Sequence, residues 1–515
     1  MSRVLGLVRE QVQSYYFGAG LVTDAFLAAF RIPNLLRDLF AEGALSSAFV
    51  PTFTGVKERE GPEAAWKLAN RVFTVLTVIL AVVTVAILAF APWIMRVYAA
   101  GFSAEKLALS VTMTRILAPF LLAVAVASVA MGVLNTYGRF FVPALAPALL
   151  NVAAIGGVIV LSPLFVKIGW PAGLSLAIGA MVGGALQFGV QLPSMRKLGF
   201  RFRWDWAPSD PGLKRIAWLM LPATIGQAAT QINFLVDTWL ASRYGNGPIT
   251  WLSLAFRLIQ LPIGLFGVAI GMANLARVSR DAALGDRPAL RANLAGALRA
   301  AALLSLPATA GLVALREPII GVIFEHGRFD HTSTLNTAAA LLCYALGLYA
   351  YAVTKIQVPT FYALGDTRLP VIGSTAAVAA KLAANGLFVA LLPSIGVDPF
   401  LGLALSTSIA AWTNFSILGV GLKRRAGALS GRGVVRATLS MAALSLVMGV
   451  ACGALHAVLT RVLPGDRVLP SVIRLLVAVA FGGAITLVGA RLLRVPEAAE
   501  ITARLAAVAK RRRRA

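Results

Sequence analysis

Charged side chains stand among apolar residues over the first fifty positions of the chain. They are Arg3, Arg9, Glu10, Asp24, Arg31, Arg37, Asp38 and Glu42. Between them lie apolar runs such as residues 25–30. A charged residue at the centre of a bilayer costs at least about 2.5–3.5 kcal/mol on insertion scales, so these groups cannot face lipid. The pattern predicts a shared cavity, filled with water or an anion, and therefore a transporter.

The composition indicates a membrane protein with many spans. Of the 515 residues, 58% are hydrophobic and 13% are charged, and the mean hydropathy is +0.80. Uncharged runs such as 72–94 and 117–133 approach the roughly 20 residues that a helix needs to cross a bilayer. We expect an all-α polytopic fold with about fourteen transmembrane helices. Their predicted centres are Val8, Phe30, Leu80, Leu121, Leu150, Met181, Gln227, Pro262, Leu303, Leu346, Ala379, Ser408, Leu446 and Val479.

The net charge of +26 is divided among short loops that alternate between basic and nearly uncharged. Cytoplasmic loops collect Lys and Arg, so the alternation predicts an even number of spans with both termini in the cytoplasm. Nucleic-acid binding is not expected, because the basic residues are not gathered on one domain. Arg115 lies inside an apolar segment and is expected to reach toward an interface. Cys343 and Cys452 also lie in apolar segments, and neither a disulfide framework nor a metal cluster is expected.

An internal repeat divides the chain. The matching positions are Arg31 and Arg257, 226 apart; Gly101 and Gly327, 226 apart; Gly138 and Gly365, 227 apart; and Gly173 and Gly402, 229 apart. Each repeat holds an even number of spans, so the halves insert with the same orientation, related by a pseudo-two-fold axis along the membrane normal. This predicts six-helix lobes over 1–200 and 201–428 with substrate between them. Two additional spans over 429–494 and a basic tail over 495–515 follow.

The N-terminal motifs carry a family resemblance. They are SRVLGLVRE at 2–10, FGAG at 17–20, TDAF at 23–26, FRIPNLLR at 30–37, FAEGA at 40–44 and AFVP at 48–51. In these motifs the chain resembles the lipid II flippases of bacterial cell-wall synthesis. These form the MurJ or MviN family of the multidrug/oligosaccharidyl-lipid/polysaccharide exporter superfamily. Relatives usually carry further residues before the first motif, so the true start is expected upstream of Met1.

The resemblance implies a multi-pass flippase of the bacterial inner membrane, not an enzyme. Such a protein moves lipid II, undecaprenyl-pyrophosphoryl disaccharide-pentapeptide, from the cytoplasmic to the periplasmic leaflet by alternating access. The additional spans would hold the lipid tail. By matching motif positions, the pyrophosphate would be held by Arg3, Arg9, Arg37 and Arg257. A guanidinium stays charged and binds phosphate oxygens in a bidentate way, which suits that role. The alternative for these arginines is structural pairing, with Glu10, Asp24 or Asp38 as partners of the first three.

Three acids are candidate gating or charge partners. Asp24 would hold Arg3 or Arg9 between cycles, or else cap the second helix, because Thr23-Asp24 precedes an apolar run. Glu42 would close a gate with a loop arginine, or simply cap a helix. Glu10 is a candidate partner of the neighbouring arginines.

Some relatives in the family bind sodium through an acid in the seventh span. The matching residues here are Asp237, Lys381, Asn385 and Thr407. We hypothesise that the Lys381 ammonium pairs with Asp237 and stands where the cation would, so that this is the remnant of a cation site. Coupling to the membrane potential or to Na⁺ stays open, and no cofactor is expected.

Other functions would need different residues or another substrate. An exporter of another polyprenyl-linked glycan or small molecule in the same superfamily is the main alternative. A drug-cation exporter would need an excess of cavity acids, and a membrane enzyme would need an acid cluster or a nucleophile–base pair, which the spacing does not offer. A non-transporting scaffold would leave the buried arginines unexplained. The expected partners are lipid II and membrane lipids, with other cell-wall synthesis proteins as further candidates.

Overall fold

The computed structural model describes residues 2–38, 44–427, 431–465, 468–493 and 497. Within these ranges the regular structure is helical and no β-strand occurs, which confirms the predicted all-α class. The chain divides into two compact units. The first comprises Met1–Thr250 and His326–Asp330, and the second comprises Trp251–Glu325 and the chain from His331 onward.

The first unit is built from long helices. They are α1 (Ser2–Phe17), α2 (Leu21–Arg37), α3 (Ala44–Glu60), α4 (Pro62–Tyr98), α5 (Ala104–Thr136), α6 (Phe141–Lys167), α7 (Leu174–Gly189), α8 (Leu192–Lys197), α9 (Pro211–Ala241) and the first turn of α10 (Pro248–Pro262). Helix α2 packs on α5 through Phe30 and Phe120, whose ring centroids are 5.2 Å apart. Ala25, Ala28 and Ala29 are fully buried, and such small residues allow close helix packing in membranes.

The second unit contains the rest of α10 and the helices that follow. They are α11 (Val268–Ala283), α12 (Arg287–Ala314), α13 (Arg316–Phe324), α14 (His331–Ala345), α15 (Leu348–Ala363), α16 (Arg368–Leu391), α17 (Phe400–Ala426), α18 (Gly431–Val462) and α19 (Val468–Leu492). A π-helical turn over Ile263–Gly267 joins α10 to α11. Val278, Leu294, Val353 and Leu418 bring α11, α12, α15 and α17 together in one core. Helix α18 packs on α12, so the predicted additional spans belong to this unit.

The helices agree with the predicted span centres, whereas the number of spans is not confirmed. Among the described residues, ten helices are long and apolar enough to cross a membrane, or eleven if α14 and α15, bent by 44°, form one span. The predicted centres at Val8, Phe30 and Gln227 lie in α1, α2 and α9, which are not among these ten. Helices α1 and α2 have only 16 and 17 residues and carry charges. The count of fourteen and the lobes 1–200 and 201–428 therefore stay predictions.

Arg115 has a partner inside the first unit. Its Nε donates a hydrogen bond to the Leu88 carbonyl of α4 at 3.3 Å. Leu88 lies four residues before Pro92, whose nitrogen has no hydrogen to donate to that carbonyl. The guanidinium supplies the hydrogen bond that the proline cannot, so Arg115 joins α5 to α4.

Candidate functional site

The Asp24 carboxylate lies at the start of α2 and is fully buried. One oxygen accepts hydrogen bonds from Lys106 Nζ at 2.7 Å and from the Gly247 amide at 2.7 Å. The other accepts from the Thr250 amide at 2.9 Å and from its hydroxyl at 2.6 Å. The buried carboxyl group thus receives four hydrogen bonds from protein donors. We call Asp24, Lys106, Gly247 and Thr250 the Asp24 cluster.

Lys106, in the first turn of α5, is 1% exposed. Besides Asp24, its ammonium donates to the Gly245 carbonyl at 3.0 Å and lies 4.3 Å from the centroid of the Phe102 ring. A buried ammonium is tolerated when it is paired and hydrogen-bonded in this way. The Asp24 cluster therefore joins α2, α5 and the segment that leads into α10.

Neither sequence-based expectation for Asp24 describes this arrangement. Gly20 is the N-cap residue of α2, and its amide donates to the Thr23 hydroxyl at 2.9 Å, so Asp24 does not cap its own helix. Instead it accepts from amides at the start of α10, where a helix end favours a negative charge. The cation that it contacts is Lys106.

Two glycines of the repeat make equivalent close contacts in the first unit. A Cβ on Gly101 would overlap the backbone of Arg243 and Ser242, just after α9. A Cβ on Gly327 would overlap the Tyr15 carbonyl near the end of α1, and that carbonyl accepts a hydrogen bond from the Arg328 amide at 2.9 Å. Tyr15 and Ser242 are themselves 227 positions apart, close to the repeat offset. The repeat is therefore visible in the packing as well as in the sequence.

The arginines predicted to hold pyrophosphate include two that contact the acid next in sequence. Arg9 Nη2 lies 3.2 Å from Glu10 Oε1, and Arg37 Nη2 lies 2.8 Å from Asp38 Oδ1. The side chains of Arg9 and Arg37 are 16% and 18% exposed. Both guanidinium groups are thus partly accessible and already paired with a carboxylate, as the structural-pairing alternative predicts for them.

Asp38 links α2 to α9. Gln231 Nε2 donates to Asp38 Oδ2 at 3.1 Å, and Arg31 Nη2 lies 3.4 Å from Gln231 Oε1. The Arg31 guanidinium also stacks on the Phe234 ring, with Cζ 3.9 Å from the centroid. We call Arg31, Arg37, Asp38, Gln231 and Phe234 the Asp38 cluster. It places two arginines beside one carboxylate at the C-terminal end of α2.

The remaining predicted residues lie elsewhere or outside the described part. Arg257 is on the exposed side of α10 in the second unit. Arg3 lies in α1, but its side chain is outside the described residues, as is the whole of Glu42. These two therefore stay predictions from the sequence.

The four residues of the predicted cation-site remnant are divided between the two units. Asp237 belongs to the first unit, where it and Asp38 act electrostatically on the Arg31 guanidinium. Lys381, Asn385 and Thr407 are buried in the second unit. Asn385 Oδ1 accepts from the Ser406 hydroxyl, and Lys381 can only donate. A hard cation needs oxygen ligands, and the Lys381 side chain offers none.

Sequence reasoning missed Lys106 and Gln231 as site residues and named Arg31 only as a charge. Lys106 lies in the first turn of α5. One signal was available: a lysine in the first turn of a helix opposes the helix dipole and needs a specific acid. The partner of Gln231 could not be found from the sequence, because 193 residues separate it from Asp38.

Comparisons with known proteins agree on one family. The family model described as lipid II flippase MurJ matches residues 13–472. The lipid II flippase MurJ of Burkholderia cenocepacia is 38% identical over 437 residues, which cover 82% of this chain and 82% of that protein. The probable lipid II flippase MurJ of Vibrio cholerae is 35% identical over 431 residues, with coverage of 82% and 80%.

Solved structures give the same result. A structure described as lipid II flippase MurJ in the inward closed conformation has a TM-score of 0.77 and 27% identity, covering 96% of this chain and 97% of that one. An inward-facing MATE family transporter of the MOP superfamily, with a TM-score of 0.69 and 16% identity, shares the fold. This chain is a multi-pass membrane protein that belongs to the lipid II flippase MurJ family.

Proposed function

We propose that this chain is a lipid II flippase of the bacterial inner membrane. It carries the disaccharide-pentapeptide headgroup on its pyrophosphate from the cytoplasmic to the periplasmic leaflet by alternating access. The observation that carries the proposal is the family match over 13–472, together with relatives of that name at up to 38% identity. The reaction is a translocation, in which no covalent bond is made or broken.

The pyrophosphate exchanges with carboxylates that already occupy the arginines. Arg9 and Arg37 are held by Glu10 and Asp38 at 3.2 and 2.8 Å. A diphosphate offers more oxygens and more charge than one carboxylate, so it can displace the acid from a partly exposed guanidinium. When the headgroup leaves, the acid returns. Arg3 and Arg257 complete the set in this proposal, and the returning carboxylates prevent binding so tight that release would stall.

The Asp24 cluster keeps the periplasmic end closed. If the N-terminus is cytoplasmic, α1 ends at the periplasmic side and α2 begins there. Helices α5 and α10 also begin at the periplasmic side. The Asp24 cluster joins the N-terminal ends of α2, α5 and α10 through a buried ion pair and three further hydrogen-bond donors. The contacts of Gly101 and Gly327 lie in the segments at the same end. Opening toward the periplasm requires this set of contacts to separate, which gives Asp24 its gating role.

The energy source is the membrane potential rather than a sodium gradient. Lys381 is one of the residues that the family resemblance matches to a sodium site, and its side chain offers no oxygen ligand for Na⁺. Vesicles that contain the purified chain should therefore flip fluorescent lipid II equally well in sodium and potassium salts, with a rate that responds to an imposed potential. Sodium-dependent flipping by the unaltered chain would contradict this assignment.

Complementation tests the function in cells depleted of their own lipid II flippase. The unaltered chain should restore growth, while Arg37→Ala and Arg257→Ala should not, at equal membrane levels. Arg139→Ala, in an exposed loop, removes the same charge and should be silent. Rescue by all three variants would reduce the two arginines to structural charges. Failure of the unaltered chain, with flipping of another polyprenyl-linked glycan in vesicles, would favour the alternative substrate.

A further inference from the structure

Residues 200–206, Phe-Arg-Phe-Arg-Trp-Asp-Trp, form an extended segment between α8 and α9 that we call the aromatic strip. Its aromatic side chains at Phe202, Trp204 and Trp206 are 56%, 62% and 51% exposed. Arg201 and Arg203, between them, are also exposed. Exposed guanidinium groups and rings thus alternate over residues 201–204, and the exposed Trp206 follows Asp205.

Hydrogen bonds hold the strip in place on α4. Asn70 Nδ2 donates to the Arg201 carbonyl at 3.2 Å, and the Arg203 amide donates to Asn70 Oδ1 at 2.9 Å. One turn further along α4, the Thr74 hydroxyl accepts from the Asp205 amide at 3.2 Å. Phe200 anchors the start of the strip, because it is buried, with its ring centroid 5.3 Å from that of Phe73.

The outward charge of the strip is positive. Its one acid, Asp205, accepts from Arg71 Nε at 2.9 Å, and Arg71 also bonds Asp210, the N-cap of α9. The acids near the strip are therefore used on its inner side. Arg201 and Arg203 remain on the outer side.

The level of the strip in the fold is that of a membrane interface. It runs beside residues 70–74 of α4, where Arg71 is the last charge before the uncharged run 72–95. In α9 the charges at Lys214 and Arg215 likewise give way to Ile216, which packs in the same core as Phe73 and Phe200. Aromatic rings are enriched at this depth, and basic groups there attract anionic headgroups.

We propose that the aromatic strip is a membrane-surface anchor that binds anionic phospholipid headgroups of the leaflet it faces. The rings of Phe202, Trp204 and Trp206 insert among the headgroups. The guanidinium groups of Arg201 and Arg203 pair with the phosphate groups of the anionic lipids. The anchor fixes the depth of α4 and of the start of α9. It does not depend on which substrate the protein moves.

The test measures the quenching of tryptophan fluorescence in the full chain by brominated lipids. The vesicles contain phosphatidylcholine and phosphatidylglycerol, and one of the two lipids carries bromine near its headgroup. The quenching assigned to the strip is the part lost in Trp204→Phe/Trp206→Phe, a variant that keeps apolar rings. We expect substantial quenching of Trp204 and Trp206. It should be stronger with brominated phosphatidylglycerol than with brominated phosphatidylcholine at the same mole fraction. Each arginine should contribute a preference of about fivefold.

Charge variants decide whether the preference belongs to the strip. Arg201→Gln/Arg203→Gln should abolish it, while Arg277→Gln/Arg280→Gln, which removes two exposed arginines from α11, should preserve it. Equal loss in both variants would overturn the proposal in favour of a general effect of net charge. Absence of shallow quenching at Trp204 and Trp206 would also overturn it, and protection of these rings by a membrane-protein extract would then assign the strip to a protein partner.

Discussion

The Asp24 carboxylate and the Lys106 ammonium form a buried ion pair, 2.7 Å apart, between the first turns of α2 and α5. The two partners differ in what else they contact. Asp24 accepts from three further donors, the amides of Gly247 and Thr250 and the Thr250 hydroxyl. Lys106 has one further acceptor, the Gly245 carbonyl, and the face of Phe102. The carboxylate is therefore better supported than the ammonium.

This asymmetry predicts unequal effects of removing each partner. Asp24→Asn leaves the Lys106 charge buried without a counter-ion and should destabilise the protein by about 3–5 kcal/mol. Lys106→Met leaves Asp24 with three donors and should cost clearly less. Thermal unfolding of the purified variants in detergent measures the order, and Asp24→Asn/Lys106→Met should be more stable than the sum of the single losses. Glu105→Gln, exposed beside Lys106, is the control. Additive losses would mean that the pair is not coupled.

The close contact of Gly101 predicts a steric effect of a single methyl group. Gly101→Ala would force the backbone at Ser242 and Arg243 to move and should destabilise the unit by about 1–3 kcal/mol, as overpacking does. Gly156→Ala, in α6, adds its methyl in open space and should be neutral or slightly stabilising. Thermal unfolding compares the two. A Gly101→Ala protein as stable as Gly156→Ala would show that this contact yields without cost.

Gly327 needs a different control, because its φ of +63° strains any substituted residue. Gly138 has a φ of +70° and open space around it. The loss of stability in Gly327→Ala beyond that in Gly138→Ala therefore measures the contact with Tyr15. If the contact closes the periplasmic end, Gly327→Ala should also raise labelling of a cysteine introduced at that end.

The repeat, the all-α class and the charged start of the chain could be predicted, because each appears as a pattern of residue types along the sequence. The repeat positions Gly101 and Gly327, 226 apart, make equivalent close contacts in the structure. The partners of Asp24 could not be predicted, because Lys106 and Thr250 lie 82 and 226 positions away and only folding brings them together. Any of several buried cations could have met that carboxylate, and the sequence does not rank them.

Asp366, between α15 and α16, predicts a pH dependence outside the spans. The Leu369 amide, followed by the Arg368 amide and the Arg425 guanidinium, holds the pKa of its carboxyl below the usual range. A carboxyl with a lowered folded-state pKa stabilises the protein above the unfolded-state value of about 3.9, and the effect is lost as pH falls through the folded-state pKa. Asp366→Asn should therefore lower the midpoint of thermal unfolding at pH 7, and the difference should persist to about pH 4 and shrink as the pH falls further.

Asp398→Asn, at an exposed aspartate in the loop before α17, supplies the comparison for that pH series. It should leave the unfolding midpoint unchanged across the same range. A deficit of Asp366→Asn that stays constant as the pH falls from about 4 to about 2 would assign the loss to geometry rather than to ionisation.

Asp38 predicts the consequence of freeing a cavity arginine, on the proposed function. Its Oδ1 lies 2.8 Å from Arg37 Nη2 and competes with an incoming pyrophosphate. Asp38→Asn removes that competitor while its amide oxygen can still accept from Gln231. A partly exposed ion pair is worth up to about 1 kcal/mol, so the affinity for a short-chain lipid II analogue should rise by up to about fivefold. Slower release should lower the flipping rate in vesicles.

The alternative role of Asp38 predicts the opposite result. If the carboxylate orients Arg37 toward the ligand, Asp38→Asn should weaken binding, and Arg37→Ala should then weaken it no further. Equilibrium binding of the analogue to the single and double variants separates the two roles. Glu58→Gln removes the acid of an exposed pair with Lys57 and controls for the change in net charge. Tighter binding with slower flipping, absent from the control, is the result that carboxylate exchange requires, because the same acid that hinders binding also drives release.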